Sequence, residues 1–344
     1  MARVLVAGKY QLVKKIGAGS FGKIFLARGV APPDPPFGEG RTQEADAISS
    51  NYVNSINQSN TAPAHTASAS CVRPSPNGGS GGATPLAVKI MSTEHSALHN
   101  NEVAIYEKIR EIKYVPTIYA SGIEGKFNYI VMDLLEQSVE ELFINYGNQL
   151  PLKVVIHLAV QMLNIVEQIH ACGIIHRDLK PANFLLKTNS QDISELYLID
   201  FGLAKCFLDE KQRHCTIKTN ETIVGTTRYM SVNTHHGLTA SRRDDLESLG
   251  YIMLFLYHGK LSWQNQESVE RVAELKQKLD WHSNTIGASN TIGASNTIGA
   301  SNTIGASNTI GEFFLFVLYC RNLDFAEKPN YDYLRGLLTN LNKL

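Results

Sequence analysis

IIHRDLKPANFLL, residues Ile174 to Leu186, decides how the rest of the chain reads. It follows a long apolar stretch, Lys153 to His170, that is greasy on most faces of a helix and so belongs in an interior. Behind that anchor, Asp178 and Asn183 stand five apart. The carboxylate is placed to accept a proton from an alcohol, and the amide oxygen suits a hard divalent cation. Lys180, two residues past Asp178, offers an ammonium to negative charge on a group in transfer.

Working outward, four more elements fall into order around this loop. GAGSFG, Gly17 to Gly22, matches G-x-G-x-x-G. A dinucleotide fingerprint would lead from strand to helix, but here KYQLVKKI and KIFLA flank it as two strands, so the turn suits a flap over triphosphate oxygens. An ordinary glycine hairpin is the competing reading of that motif alone. LAVKI puts Lys89 on a third strand, within reach of phosphates, and Glu102 follows thirteen residues later on a helix spanning Glu94 to Ile112. Taken singly, each is an ordinary surface charge; their joint placement makes an ion pair. LIDFGLA then supplies Asp200 as a second carboxylate for a cation. The five elements together imply phosphoryl transfer, with Lys89, Glu102, Asp178, Lys180 and Asn183 as catalytic candidates and Asn183 and Asp200 as metal ligands.

Composition sets the limits. The chain has 344 residues, 43% of them hydrophobic, with 32 basic against 32 acidic residues, so no global field draws it to nucleic acid or membrane. Five scattered cysteines without a CxxC pair suggest reduced thiols in the cytoplasm or nucleus. The N-terminal apolar run is too short for a secretory signal, and the late run Phe313 to Cys320 is too short to cross a bilayer. Two segments lack core composition. Residues 31–84 are rich in Pro, Gly, Ser, Asn and Thr and are expected to be disordered. Residues 283–311 repeat SNTIGA; stacked β-helix coils are one reading, but so few short coils without caps favour a flexible linker.

GTTRYMSVNTHHG, Gly225 to Gly237, narrows the reading further. Adjacent His235 and His236 diverge on any regular backbone and have no Cys or acidic partner at ligand spacing, which argues against a metal site. With SRRDDLESLGY (Ser241 to Tyr251), the FLL after Asn183 and EKPNYDYLR (Glu327 to Arg335), the chain resembles the eukaryotic protein kinases and, among them, the casein kinase 1 family. In that family a Ser-Ile-Asn type sequence ends the activation segment, and Ser231, Val232 and Asn233 stand there. The resemblance covers residues 10–30, 85–280 and 312–341.

It implies an α+β, two-lobed kinase fold: a small antiparallel sheet with one main helix (10–132), a hinge (133–138) and a larger, mainly helical lobe (139–340). ATP and Mg2+ are the implied cofactors. The ATP-facing set is Ile16, Gly17, Ala18, Gly19, Ser20, Phe21, Gly22, Lys23 and Ile24 in the flap, Lys89, and the hinge at Asp133 and Leu135, with Met132 lining the back of the pocket. Thr227 and Arg228 would face the peptide, and Asp245 would brace the catalytic loop; its plainer reading is a carboxylate favoured at a helix N-terminus. Expected partners are protein substrates with Ser or Thr acceptors, without nucleic acid or membrane, for a monomer. As the sequence stops at Leu344 without a long tail, basal activity without loop phosphorylation is expected.

The chain also departs from the family. Glu136 and Gln137 precede Ser138 where Gly-Pro-Ser is usual; Asn265 replaces a glycine; Glu221, Glu267 and Glu274 stand where basic residues are common. Arg271 and Lys276 remain nearby as cations. An acid replacing a base beside a phosphate changes the interaction by about 1–4 kcal/mol at close range, so preference for phosphorylated substrates is expected to weaken. The alternative from another class is an inactive pseudokinase scaffold.

Overall fold

The computed structural model describes residues 4–19, 22–29, 85–187, 195–278 and 303–341, with side chains from 311 onward in the last span. The described residues up to Asp133 build one antiparallel sheet and the helix that packs on it. Its strands are β1 (Leu5–Val6), β2 (Tyr10–Ala18), β3 (Lys23–Gly29), β4 (Pro85–Ser92), β5 (Ile118–Glu124) and β6 (Phe127–Asp133), in the order β1-β2-β3-β4-β6-β5. β4 is hydrogen-bonded on both sides, to β3 and β6, and Leu86 to Met91 are buried without a break. A continuous apolar run is what a strand covered on both faces requires, and Lys89 is its one charged member.

β1 and β5 carry little sequence signal. β1 has two residues, and β5 alternates half-buried with exposed positions at the sheet edge. The segment 30–84 lies outside the described residues, but its ends are fixed: Arg28 on β3 pairs directly with Pro85 on β4. A tight hairpin can accept a long insert there because closure entropy rises only about 0.6 kcal/mol per doubling of loop length.

Helix α1 (Ser96–Lys108) packs on this sheet through β6. It is shorter than the expected 94–112: a 3-10 turn, Thr93–His95, precedes it, with the Ser92 side chain accepting from Glu94 N–H. Its buried side carries His99, Glu102, Ile105 and Tyr106.

After the sheet come α2 (Val139–Asn145), α3 (Leu152–Ala171), two small ribbons formed by β7 (Ile174–Ile175) with β10 (Lys205–Cys206) and β8 (Phe184–Leu186) with β9 (Leu196–Leu198), and then α4 (Val232–His235), α5 (Arg242–His258), α6 (Val269–Gln277), α7 (Thr303–Asn322) and α8 (Tyr331–Asn340). α5 is the axis of this part: every residue from Asp244 to Leu256 is buried, and it packs against α3 and α7. α3 is long and apolar enough to cross a membrane, yet its apolar positions, such as Val155, Leu158 and Leu163, are buried among α5, α8 and β9. The arrangement of mixed helices and antiparallel sheet is consistent with a two-lobed kinase fold.

The SNTIGA reading needs amendment at one end. Residues 283–302 lie outside the described residues, but α7 begins at Thr303, so the last nine residues of the repeat are helical rather than linker. Ser, Asn, Thr and Gly are poor helix formers. The helix is nucleated downstream, where Phe313, Phe316, Val317 and Cys320 are fully buried, and adding residues to an existing helix costs far less than starting one.

α5 and α7 approach closely at Gly250, where an added Cβ would lie 2.3 Å from Val317 Cγ2. Val317 is fully buried and β-branched, so it cannot swing aside. Gly250→Ala should therefore lower stability by about 1–3 kcal/mol through overpacking, outweighing the gain of about 1 kcal/mol that Ala brings to a helix interior. Chemical denaturation of the two proteins measures the difference, and a more stable variant would contradict this packing.

Candidate active site

The site begins with an ammonium buried in the sheet. Lys89 Nζ donates to both oxygens of Glu102, at 2.8 and 2.7 Å, and to Asp200 Oδ1 at 2.7 Å. Three elements thus meet at one cation: β4, α1 and the turn after β9. Burial alone would discharge Lys89, but Glu102 and Asp200 outweigh it and raise its pKa above the usual lysine value. Asp200 also resists burial: Lys89 above all keeps its carboxyl below the ordinary range, so it stays ionised. Phe201, next in sequence, is fully buried and packs edge-on to Tyr106 of α1 at 5.1 Å and His176 at 5.0 Å. Asp200 has φ 67°. A non-glycine residue held there costs about 1–3 kcal/mol, and the flanking contacts of Lys89 and Phe201 hold it.

The loop that carries Asp178 is fixed from below by Asp245 on α5. Its Oδ2 accepts from His176 N–H at 2.7 Å and from His170 Nε2–H at 3.0 Å, and its Oδ1 accepts from Arg177 N–H at 2.9 Å. Arg177 also has φ 67°. A carboxylate only accepts, so His170 donates through Nε2 and takes the Tyr331 hydroxyl at Nδ1, 2.7 Å away. Asp245 is therefore a buried brace, not simply a charge at a helix end. Above it, Lys180 Nζ donates to Asp178 Oδ2 at 2.6 Å, Thr226 Oγ1 donates to Asp178 Oδ1 at 2.6 Å, and Asn183 Nδ2 donates to the Asp178 carbonyl at 2.9 Å. The five catalytic candidates, with the metal-ligand candidate Asp200, thus fall into two clusters, Lys89–Glu102–Asp200 and Asp178–Lys180–Asn183.

The loop that carries Thr226 approaches closely. Gly225 has φ 102°, and a Cβ there would sit 2.4 Å from the Arg177 carbonyl oxygen, so only glycine lets the two loops touch. Thr227 and Arg228 are half-buried; the Arg228 guanidinium lies 5.4 Å from the Phe255 ring centre and 5.8 Å from that of Tyr229. Lys276 is not a surface cation near the substrate. It is fully buried, donates to the carbonyls of Thr227 (2.8 Å) and Met230 (2.7 Å), and meets His235 Nε2 at 3.1 Å. Arg271 is exposed and paired with Glu274 on its own helix at 2.8 Å. His235 is buried and His236 exposed, and among the described residues no group of three His, Cys, Asp or Glu side chains could hold a metal.

The glycine-hairpin side, expected to face a nucleotide, is partly described. Gly19 N–H donates to the Gly22 carbonyl at 2.8 Å, closing the hairpin between β2 and β3; Ser20 and Phe21 at its tip lie outside the described residues. Gly17 pairs with Ile24 and Ala18 with Lys23 across the two strands, and Ile16 is buried. Ile24 packs on Ala87, Ile130 and Met132, and Leu135 is buried. The Asp133 carboxylate turns towards β5, accepting from Thr117 N–H at 2.8 Å and Tyr119 OH at 2.7 Å, so only its backbone faces away from that contact. One ionised carboxylate (Asp200) and one amide oxygen (Asn183) are hard donors that fit Mg2+, which takes few protein ligands and completes its shell with phosphate and water.

Several residues of the site were missed in sequence. Tyr106, whose hydroxyl accepts from Asp200 N–H at 3.3 Å, and Phe201 look like ordinary core residues. Trp263 donates through Nε1 to the Arg228 carbonyl at 2.8 Å across 35 residues, which no local pattern announces. Thr226 had a usable signal: it directly follows a glycine in the one loop that the sequence singled out.

His235 makes a pH test. Burial first, then Lys276 and His236, lower its pKa from 6.5 to about 3. The unfolded chain takes up that proton as pH falls below 6.5 while the folded one refuses it, so the stability contributed by neutral His235 is full above 6.5 and is lost on acidification towards 3. His235→Gln should remove up to about 1.4 kcal/mol of this loss per pH unit, measured as shallower acid destabilisation in denaturant melts; identical slopes would contradict it.

The family model described as "Protein kinase domain" matches residues 81–313, more than half of the chain. The match starts after the glycine hairpin and spans the Lys89–Glu102–Asp200 cluster, the Asp178 loop and the loop bearing Thr226. Matched over that length, and with those residues in these positions, the chain belongs to the protein kinase family.

Proposed function

We propose that the chain is an active serine/threonine protein kinase of casein kinase 1 type, transferring the γ-phosphoryl group of ATP to Ser or Thr hydroxyls of protein substrates. The observation that carries this is the bonding of one buried ammonium, Lys89, to both Glu102 and Asp200. A scaffold that no longer catalyses has no use for such a buried charge constellation. Protein kinase domains generally use ATP and Mg2+, and when bound the cation neutralises charge on the phosphates. Lys89 would hold the α- and β-phosphate oxygens, and Asp200 and Asn183 would hold the cation. Asp178 accepts the proton of the acceptor hydroxyl. Lys180, already on Asp178, offers its charge to the phosphoryl group in flight. Thr226 holds the other oxygen of Asp178 and lies 3.5 Å from Lys180, which supports an aliphatic hydroxyl as acceptor.

Substrate preference follows from how the nearby cations are used. Lys205 lies 4.0 Å from Glu221, the Arg177 guanidinium donates to the Leu203 carbonyl, Arg228 lies over two aromatic rings, and Lys276 serves the loop backbone. Internal partners take the charge that would otherwise hold a phosphorylated residue, so unprimed substrates are accepted.

Asp178→Asn keeps one side-chain acceptor, for Thr226 Oγ1–H, but replaces the oxygen that accepts from Lys180 with an NH2 and removes the base, and phosphate transfer should fall about 10²–10⁴-fold while ATP binding persists; unchanged transfer would refute the assignment, and a wild type without transfer would leave the scaffold reading. In paired assays, a phosphorylated peptide should show less than about a tenfold advantage in kcat/KM over its unphosphorylated form, that is under 1.4 kcal/mol. A larger advantage would overturn the substrate reading.

A further inference from the structure

The substrate loop between the two catalytic clusters and α5 has an unusual support. The carbonyls of Thr226, Thr227, Arg228 and Met230 find donors within the chain, as buried backbone groups must. The Thr226 carbonyl accepts from Tyr229 N–H at 2.8 Å and Met230 N–H at 3.0 Å. Three of the next four are met by side chains from the segment after α5: Thr227 and Met230 by Lys276, and Arg228 by Trp263. Lys276 is fully buried at the end of α6 and has no carboxylate among its hydrogen-bond partners. Its amino group sits 4.8 Å from the Tyr251 ring centre and 5.5 Å from that of Trp263, and burial holds its pKa well below the usual lysine value despite the nearby Glu247 carboxylate.

Burying a lysine this way is costly unless the carbonyls it serves are worth holding. The strut is itself braced. Arg321 of α7 donates to the Lys276 carbonyl at 3.0 Å and to Glu247 Oε1 at 3.0 Å, and Glu247 accepts from Val232 N–H at 3.2 Å, just past the loop. One chain of contacts therefore runs from α7 through Lys276 to the loop whose Thr226 rests on Asp178.

We propose that Lys276, bonded to the Thr227 and Met230 carbonyls and seated on Tyr251 and Trp263, is a positioning residue that sets the substrate loop for peptide binding. This deepens the kinase reading and rests on it. Lys276 touches neither the nucleotide side nor Asp178, so losing it loosens the peptide platform and spares the ATP site.

The test is Lys276→Met, which keeps the stem and deletes the donors, assayed with peptide and ATP varied separately. Peptide KM should rise about tenfold or more, the equivalent of one lost hydrogen bond, with ATP KM within about twofold. Trp263→Phe keeps a ring on Tyr251 but removes the bond to Arg228, and should shift peptide KM the same way by less. Amide hydrogen exchange reads the loop without any activity: residues 226–232 should exchange about tenfold faster in Lys276→Met, while the catalytic loop at 176–183 keeps wild-type rates. Unchanged peptide KM, a parallel rise in both KM values, or unchanged exchange at 226–232 would overturn the proposal. If wild type transfers no phosphate, the kinase reading fails, and exchange alone still decides whether Lys276 holds the loop. Should Lys276→Met not fold, Trp263→Phe decides by the same measurements.

Discussion

A single buried ammonium, Lys89, is the constraint on which the active-site geometry depends. It cannot remain charged within the sheet unless carboxylates are brought to it, and the two that arrive come from different places: Glu102 from α1 and Asp200 from the turn after β9. Satisfying Lys89 therefore fixes α1 against the sheet and fixes the Asp200 turn against both. Breaking a buried pair by removing one partner costs about 3–5 kcal/mol, so the three elements move together or not at all. Phe201 reinforces this by packing between Tyr106 and His176, which ties the sheet side of the site to the loop that carries Asp178.

The helical part solves a similar problem with a different charge. Asp245 is buried on α5 and would be expensive there alone; three donors from His170, His176 and Arg177 offset that cost and at the same time define the backbone of the loop that carries Asp178. Its pKa stays below the ordinary aspartate value, because those donors, with His170 foremost, outweigh burial. Arg177 and Asp200 both sit at φ 67°, and each is next to one of these charge centres. The strain and the buried charge occur together because the fold spends packing on placing functional groups, not only on closing the core.

Much of this was legible in the chain. The β4 run is continuous and the α3 run is apolar on most faces, a pattern that only interior elements sustain, and the loop between α3 and β8 holds Asp178, Lys180 and Asn183 at fixed short spacings. The α1 boundaries were less legible, because a 3-10 turn and an amphipathic helix share the same periodicity at their junction. β1 and β5 were invisible: a two-residue strand has no period, and an edge strand with one wet face lacks a continuous apolar run. The helical end of the SNTIGA repeat was equally hidden, since its composition argues for coil and its helicity is borrowed from the buried residues that follow.

What the sequence by itself determined is the set of chemical groups and their order, because Lys89, Glu102, Asp178, Asn183 and Asp200 are short-range features of motifs. What only the tertiary structure decided is the use of each charge. Lys276 reads in sequence as a free cation near a peptide and is in fact buried under the loop; Asp245 reads as one more acid at a helix start and is the brace of another loop. The physical reason is that a side chain's charge is written locally, whereas its desolvation and its partners depend on elements dozens of residues away.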